Sequence, residues 1–241
     1  FGVYEVENSS ELICSNHFQS EAYAKDSRNQ STIKNSHTQQ RYDRMKELLA
    51  EKEQLNPKKA AAILRDKKGV EDQKLGFGNE LAINQLLAHH GIIFQPEERK
   101  VWVSSSPYQL GAFVAYDLDE VFKEFEKGDH SLKGIDSLLI GEDPFLNSEA
   151  FKNYESYRKE SRVIQHKIQQ EEEISEEKLV SFIALNPDFW KAYYWVGEYY
   201  FQQKNYKKAI VYYKQALRRE VTTLPDIEML EKRIKKSYRK I

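Results

Sequence analysis

Trp190-Lys-Ala-Tyr-Tyr-Trp-Val-Gly-Glu-Tyr-Tyr-Phe-Gln-Gln-Lys-Asn-Tyr-Lys-Lys-Ala-Ile-Val-Tyr-Tyr-Lys-Gln-Ala216 carries its apolar and aromatic residues three and four apart. Tyr193, Val196 and Tyr200 surround the small residue Gly197, and Ala209, Tyr213 and Ala216 follow at helical spacing. That pattern predicts two helices that approach closely at Gly197, because side chains three and four apart share one helix face. Asn205 between them is placed to cap the second helix. Asn186-Pro187 fits the end of a preceding unit, and Pro225 with Ile227, Leu230 and Ile234 predicts a closing helix.

The small, aromatic, small order of this hairpin resembles the tetratricopeptide repeat. One repeat matches and its neighbours do not. A solenoid needs about three repeats to bury a continuous core, so the hairpin is expected to pack on a long helix over 147–172 or on the rest of the chain. The aromatic set Trp190, Tyr193, Tyr194 and Tyr200 reads chiefly as repeat core, with a peptide groove as the minority reading. Composition marks where this helical part begins. Nine of the ten glycines precede residue 147 and ten of the fifteen tyrosines follow it. A boundary at 142–147, beside Gly141-Glu-Asp-Pro144, gives units of 1–146 and 147–241.

The first unit reads as mixed. Gly2–Glu7 alternates at period two, and Glu11–Phe18 follows a short turn, which predicts a hairpin. Residues 19–35 are polar and read as a long loop. A helix from Ser36 carries a capping box with Gln39 and an apolar face of Tyr42, Met45, Leu48 and Leu49. Asn56-Pro57 opens another helix, with Asn as cap and Pro in the first turn. Leu81–Phe94, Val101–Ser105 and Ala112–Tyr116 are strand-like, with Pro96-Glu-Glu-Arg-Lys as the intervening turn.

A polar cluster, Ser15-Asn16-His17-Phe18, sits where the strand containing Leu12, Ile13 and Cys14 should end. A carboxamide at such a position can aim its N–H groups at a carbonyl oxygen. Arg41, one to two turns into the helix from Ser36, offers a planar fork. Without further context Asn16 holding a loop and Arg41 in a salt bridge are equally ordinary roles. His17 would face away from Asn16, Asn84 is a weak candidate for orienting a loop, and Cys14 reads as a small buried hydrophobe.

Three segments resemble the N-terminal-nucleophile (Ntn) amide hydrolases and acyltransferases. These include choloylglycine hydrolases, N-acylethanolamine acid amidases and acyl-CoA:6-aminopenicillanate acyltransferases. Leu12-Ile-Cys-Ser-Asn-His-Phe18 resembles the strand whose Asn supplies the oxyanion hole. Ser36-His-Thr-Gln-Gln-Arg41-Tyr-Asp-Arg44 resembles the family's helix start, and Ala82-Ile-Asn-Gln through Trp102-Val-Ser resembles its late strand pair with the turn Ser105-Ser106-Pro107. The span Leu12–Ser106 is about 40% of the chain. The resemblance implies an α+β fold, part of a four-layered αββα sandwich followed by the all-α tail. It also implies catalytic roles for Asn16 (oxyanion) and Arg41 (steadying cysteine or substrate), with no metal or organic cofactor. The family's nucleophile is an N-terminal cysteine freed by autoprocessing, whose α-amine serves as base. This sequence begins with Phe1 and its one cysteine is Cys14. The expectation is a fragment, inactive alone, that partners an upstream N-terminal-Cys segment and acts on a linear acyl-amide or acyl thioester. The alternative is a non-catalytic peptide-binding or scaffold module built on the tail.

Net charge of −1 provides no global field for nucleic acid, and no apolar run is long enough to span a bilayer. His89-His90 lie on opposite faces if in a strand, so they make a poor metal pair. Gly76-Phe-Gly78 reads as a flexible turn, Glu171–Glu173 with Glu176 and Glu177 as a solvated linker or helix start, and the basic residues from Lys232 to Lys240 as the polar face of the closing helix.

Overall fold

The computed structural model describes residues 11–50, 54–128 and 131–241. Among them, four α-helices and a small sheet precede residue 147, and five α-helices follow it. The first-unit helices are α1 (Ser27–Asn35), α2 (Thr38–Leu49), α3 (Pro57–Leu64) and α4 (Leu118–Glu126). Strands β1 (Ile92–Gln95), β2 (Lys100–Ser104) and β3 (Phe113–Asp117) form an antiparallel sheet in sequence order.

Register explains the sheet's two faces. Ile93 pairs with Trp102 and Trp102 with Ala115, so these three share one face, buried with Ala61 of α3, Phe113 and Ile140. Trp102 also donates its indole N–H to the Leu138 carbonyl at 2.9 Å. On the opposite face Ile92 and Phe94 are 50% and 65% exposed. α3 forms as Asn56 and Pro57 require, the Asn side chain accepting from Lys59 N at 3.0 Å. Arg65, just beyond it, donates to the carbonyls of Gly111 at 2.7 Å and Gly141 at 2.8 Å, fastening α3 to the loops around the sheet.

Several expectations for this unit are corrected. The 2–7 half of the hairpin lies outside the described residues, and 11–18 is irregular rather than a strand. A strand exists only through a partner ladder, and 11–18 has none among the described residues. Asn29 substitutes for one: its carboxamide accepts from Phe18 N at 2.9 Å and donates to Phe18 O at 2.8 Å. Cys14 is exposed, not buried. The polar stretch 19–35 contains α1, capped by Asp26 through Asn29 N at 2.7 Å. The Ser36–Gln39 capping box does not form. Ser36 Oγ donates instead to Thr32 O, while Gln39 reaches Asp43. Residues 81–91 are irregular, so the strand predicted over 81–94 is confined to its last residues.

The helical part comprises α5 (Glu149–Gln169), α6 (Glu176–Leu185), α7 (Trp190–Gln202), α8 (Tyr206–Ala216) and α9 (Leu224–Tyr238). α7 and α8 cross as the spacing predicts: a methyl on Gly197 would lie 2.6 Å from Cε1 of Tyr213. Asn205 caps α8 through Lys208 N at 3.2 Å. Tyr213 donates its hydroxyl to Glu198 at 2.6 Å, and Arg233 of α9 pairs with the same carboxylate. Trp190, Tyr193, Val196, Tyr200 and Tyr213 all belong to the buried core.

Residues 75–86 bind the two parts together. Asn186 accepts from Phe77 N at 3.1 Å and donates to Phe77 O at 2.8 Å. Buried Asn79 donates to Glu220 O and accepts from the Thr222 hydroxyl at 3.0 Å. Gly76 is a packed position rather than a flexible one. Its φ is +75°, and a Cβ there would lie 2.4 Å from the Phe189 backbone.

Candidate active site

The segment 15–17 is locked to the first residue of α2. Ser15 Oγ donates to Thr38 O at 2.8 Å and shares a hydrogen bond with Thr38 Oγ1, which His17 Nδ1 also meets at 3.0 Å. Ser15 and His17 therefore turn one way and Asn16 turns the other. It reaches Arg41, three residues beyond Thr38 and so on the same side of α2. The Arg41 guanidinium donates to Asn16 Oδ1 through Nη2 at 2.5 Å and to Glu80 O through Nη1 at 3.5 Å.

This arrangement fixes which end of the carboxamide is spent. The Asn16 oxygen is held by a cation, and its two N–H donors have no partner among the described residues. Polarised by Arg41 and presented from an exposed side chain, they are suited to a developing oxyanion. Burial pulls the Arg41 guanidinium below its usual value, opposed by the charge of Glu80. Burial also depresses the His37 imidazole, aided by Arg41 and Lys191 and opposed by Glu80. His17 is lowered by burial against Asp43.

The structure brings the two predicted residues together across 25 positions of sequence. Asn84 stays apart from them and is structural: it donates to Tyr108 O and accepts from Leu86 N, both at 2.9 Å. Thr38, His37, Glu80 and Lys191 were not read from the sequence. Glu80 and Lys191, joined at 3.4 Å, come from an irregular segment and from α7, and no local pattern connects either to Asn16. Arg44, one turn past Arg41, is consumed by structure. It is buried against Asp66 at 2.9 Å, Asp72 at 2.8 Å and Glu47 at 2.9 Å, and hydrogen bonding to Asp66 chiefly raises its pKa.

Among the described residues no group of three or more His, Cys, Asp or Glu side chains is placed to hold a metal, and no helix is long and apolar enough to cross a membrane. No curated protein and no solved structure matches the chain. The helical crossing at Gly197 and Tyr213 is where a likeness is found: residues 190–220 match the family model of the tetratricopeptide repeat.

Proposed function

We propose that this chain is the post-nucleophile portion of a cysteine N-terminal-nucleophile amidohydrolase or acyltransferase acting on linear amide C–N bonds or acyl thioesters. The observation that carries the reading is the Arg41 to Asn16 hydrogen bond, which engages the carboxamide oxygen and leaves its N–H groups without a partner among the described residues. In this mechanism the thiolate of an upstream N-terminal Cys attacks the substrate carbonyl carbon. The carbonyl π pair moves to oxygen, and Asn16 donates to that oxyanion. Collapse expels the amine, which takes a proton from the cysteine's own α-ammonium, or the thiol of a thioester. Water or an acceptor amine then releases the acyl group. Arg41 acts by holding Asn16 in this orientation. The open face of the sheet, with Ile92 and Phe94 outward, leaves room for the second layer that such a sandwich requires.

The test is Asn16→Ala in the intact protein, assayed on simple amides and thioesters. Turnover is expected to fall about 10²–10³-fold, the loss that accompanies removal of one oxyanion donor. A rate within twofold of the parent sinks the assignment. A second reading, a non-catalytic peptide-binding or scaffold module, is favoured by the repeat match over 190–220, since tetratricopeptide repeats in general serve protein–protein contact. Capture of a peptide by the tail, with no amide or thioester turned over, would establish it.

A further inference from the structure

α5 and α7, with Phe77, Gly78, Glu80 and Leu87, line an open groove of about 410 Å³. Five of its thirteen lining residues are aromatic, including Tyr154 on α5, Phe189 before α7 and Trp195 on α7. Its charges are mostly cationic. Arg158 and Arg162 lie four apart on one face of α5, and Lys191 lines the groove from α7. Two of the three cations are already engaged. Arg158 donates to the Tyr108 hydroxyl and to Glu155, and Lys191 pairs with Glu80. Arg162 is exposed and has no hydrogen bond or ion pair among the described residues.

Glu80 ties this groove to the candidate active site. Its carboxylate and Lys191 line the groove, while its backbone oxygen accepts from Arg41, which in turn holds Asn16. The groove and the candidate site therefore share Glu80.

We infer that the groove binds the carboxylate end of a small amide substrate bearing a flat apolar body, with Arg162 as the fork that receives the carboxylate. That the ligand is a substrate rests on the amide-hydrolase reading; the carboxylate site itself does not. A guanidinium with free donors matches a carboxylate two bonds at a time, and aromatic walls accommodate both the guanidinium and a planar ligand. The volume suits a small molecule. A peptide lying across the start of α7 is disfavoured because the chain at Gly76 and Phe77 already packs there. Phe77 is held there by both bonds to Asn186, and Gly76 is wedged against Phe189.

The experiment is calorimetric titration of the full chain with N-benzoylglycine and with its neutral carboxamide, N-benzoylglycinamide. The carboxylate is expected to bind about tenfold tighter or more, as a charge-assisted pair would provide. Arg162→Gln should abolish that preference without changing the melting temperature, and added salt should shrink it. Equal binding of the two probes, or a preference that survives Arg162→Gln, overturns the proposal. So does an acidic peptide that binds here while N-benzoylglycine does not, which would assign the groove to a protein partner. Because binding is read without turnover, failure of the groove and failure of the catalytic assignment of Asn16 are separate results.

Discussion

The helices after residue 147 and the irregular segment 11–18 contain comparably clear apolar patterns, yet only the helices match their sequence reading. Gly197 meets Tyr213 because both sit on helices whose hydrogen bonds are internal, and the loop between them is short. Leu12, Ile13 and Cys14 form a short apolar run of the kind that ends a strand, but a strand's hydrogen bonds come from a neighbour that the segment does not contain. Asn29 fills part of that role for Phe18, and Asn186 does the same for Phe77 in the segment that joins the two regions. The contrast teaches that local periodicity specifies helices outright, whereas for strands it specifies only a capacity to pair.

If the two regions are bound as one by residues 75–86, damage to the tail must be felt in both. Trp190 is fully buried and donates its indole N–H to Thr222 at 2.8 Å, and Thr222 donates onward to Asn79. Trp190→Ala should cost about 3–5 kcal/mol, the usual loss for a large aromatic in a core. Urea denaturation followed by probes in each region should show one shared transition moved to lower urea. Two separated transitions would break the link and leave 1–146 and 147–241 as independent units. Arg44 provides the matching test on the first region. Arg44→Met should cost about 3–5 kcal/mol because Asp66, only 13% exposed, keeps its charge without its partner. Adding Asp66→Leu should recover most of that loss; no recovery would show that Arg44 acts through its packing instead.

What the sequence made legible follows the same division. The repeat crossing, the Asn205 and Asn56 caps and the closing helix from Leu224 were all readable, because each depends on residues a few positions apart. β2 and β3 were readable because each is a short apolar, β-branched or aromatic run. α1 was hidden by its polar surface: Asn29 alone is buried on it, so no apolar periodicity announces it. Asn16 and Arg41 were nominated by resemblance, but their contact required the Ser15 and His17 bonds to Thr38 that turn Asn16 toward α2. Glu80 and Lys191 could not have been nominated at all, being separated by 111 positions and joined only by the fold.

A smaller effect sharpens the account of the helical crossing. Gly197→Ala gains helix propensity of about 1 kcal/mol. It also drives a methyl to within 2.6 Å of the buried Tyr213 ring, and overpacking typically costs about 1–3 kcal/mol. The net expectation is a modest destabilisation, seen as a lower thermal midpoint. Gly141→Ala, where a Cβ would meet nothing within 4 Å, should change stability by less than about 0.5 kcal/mol. Equal effects at the two glycines would mean that the crossing is looser than its geometry implies.

The smallest predicted effect concerns pH and the first region. His37 is depressed below the ordinary imidazole value of 6.5, chiefly by burial, with Arg41 and Lys191 adding to the effect and Glu80 opposing it. In the folded chain it therefore binds its proton less readily than in the unfolded chain. Above pH 6.5 neither state is protonated and the contribution is complete. As pH falls below that value the unfolded state takes up the proton first, so stability declines until the depressed folded value is passed, where the loss levels off. His17, lowered by its own burial, should contribute in the same direction. Denaturation at a series of pH values should show this slope, reduced in His37→Gln and reduced further when His17→Gln is added. A slope unchanged by both substitutions would place the pH sensitivity elsewhere. A slope removed by His37→Gln alone would assign it to the imidazole that Arg41, Glu80 and Lys191 surround, where the helical region's own cation acts on the candidate site.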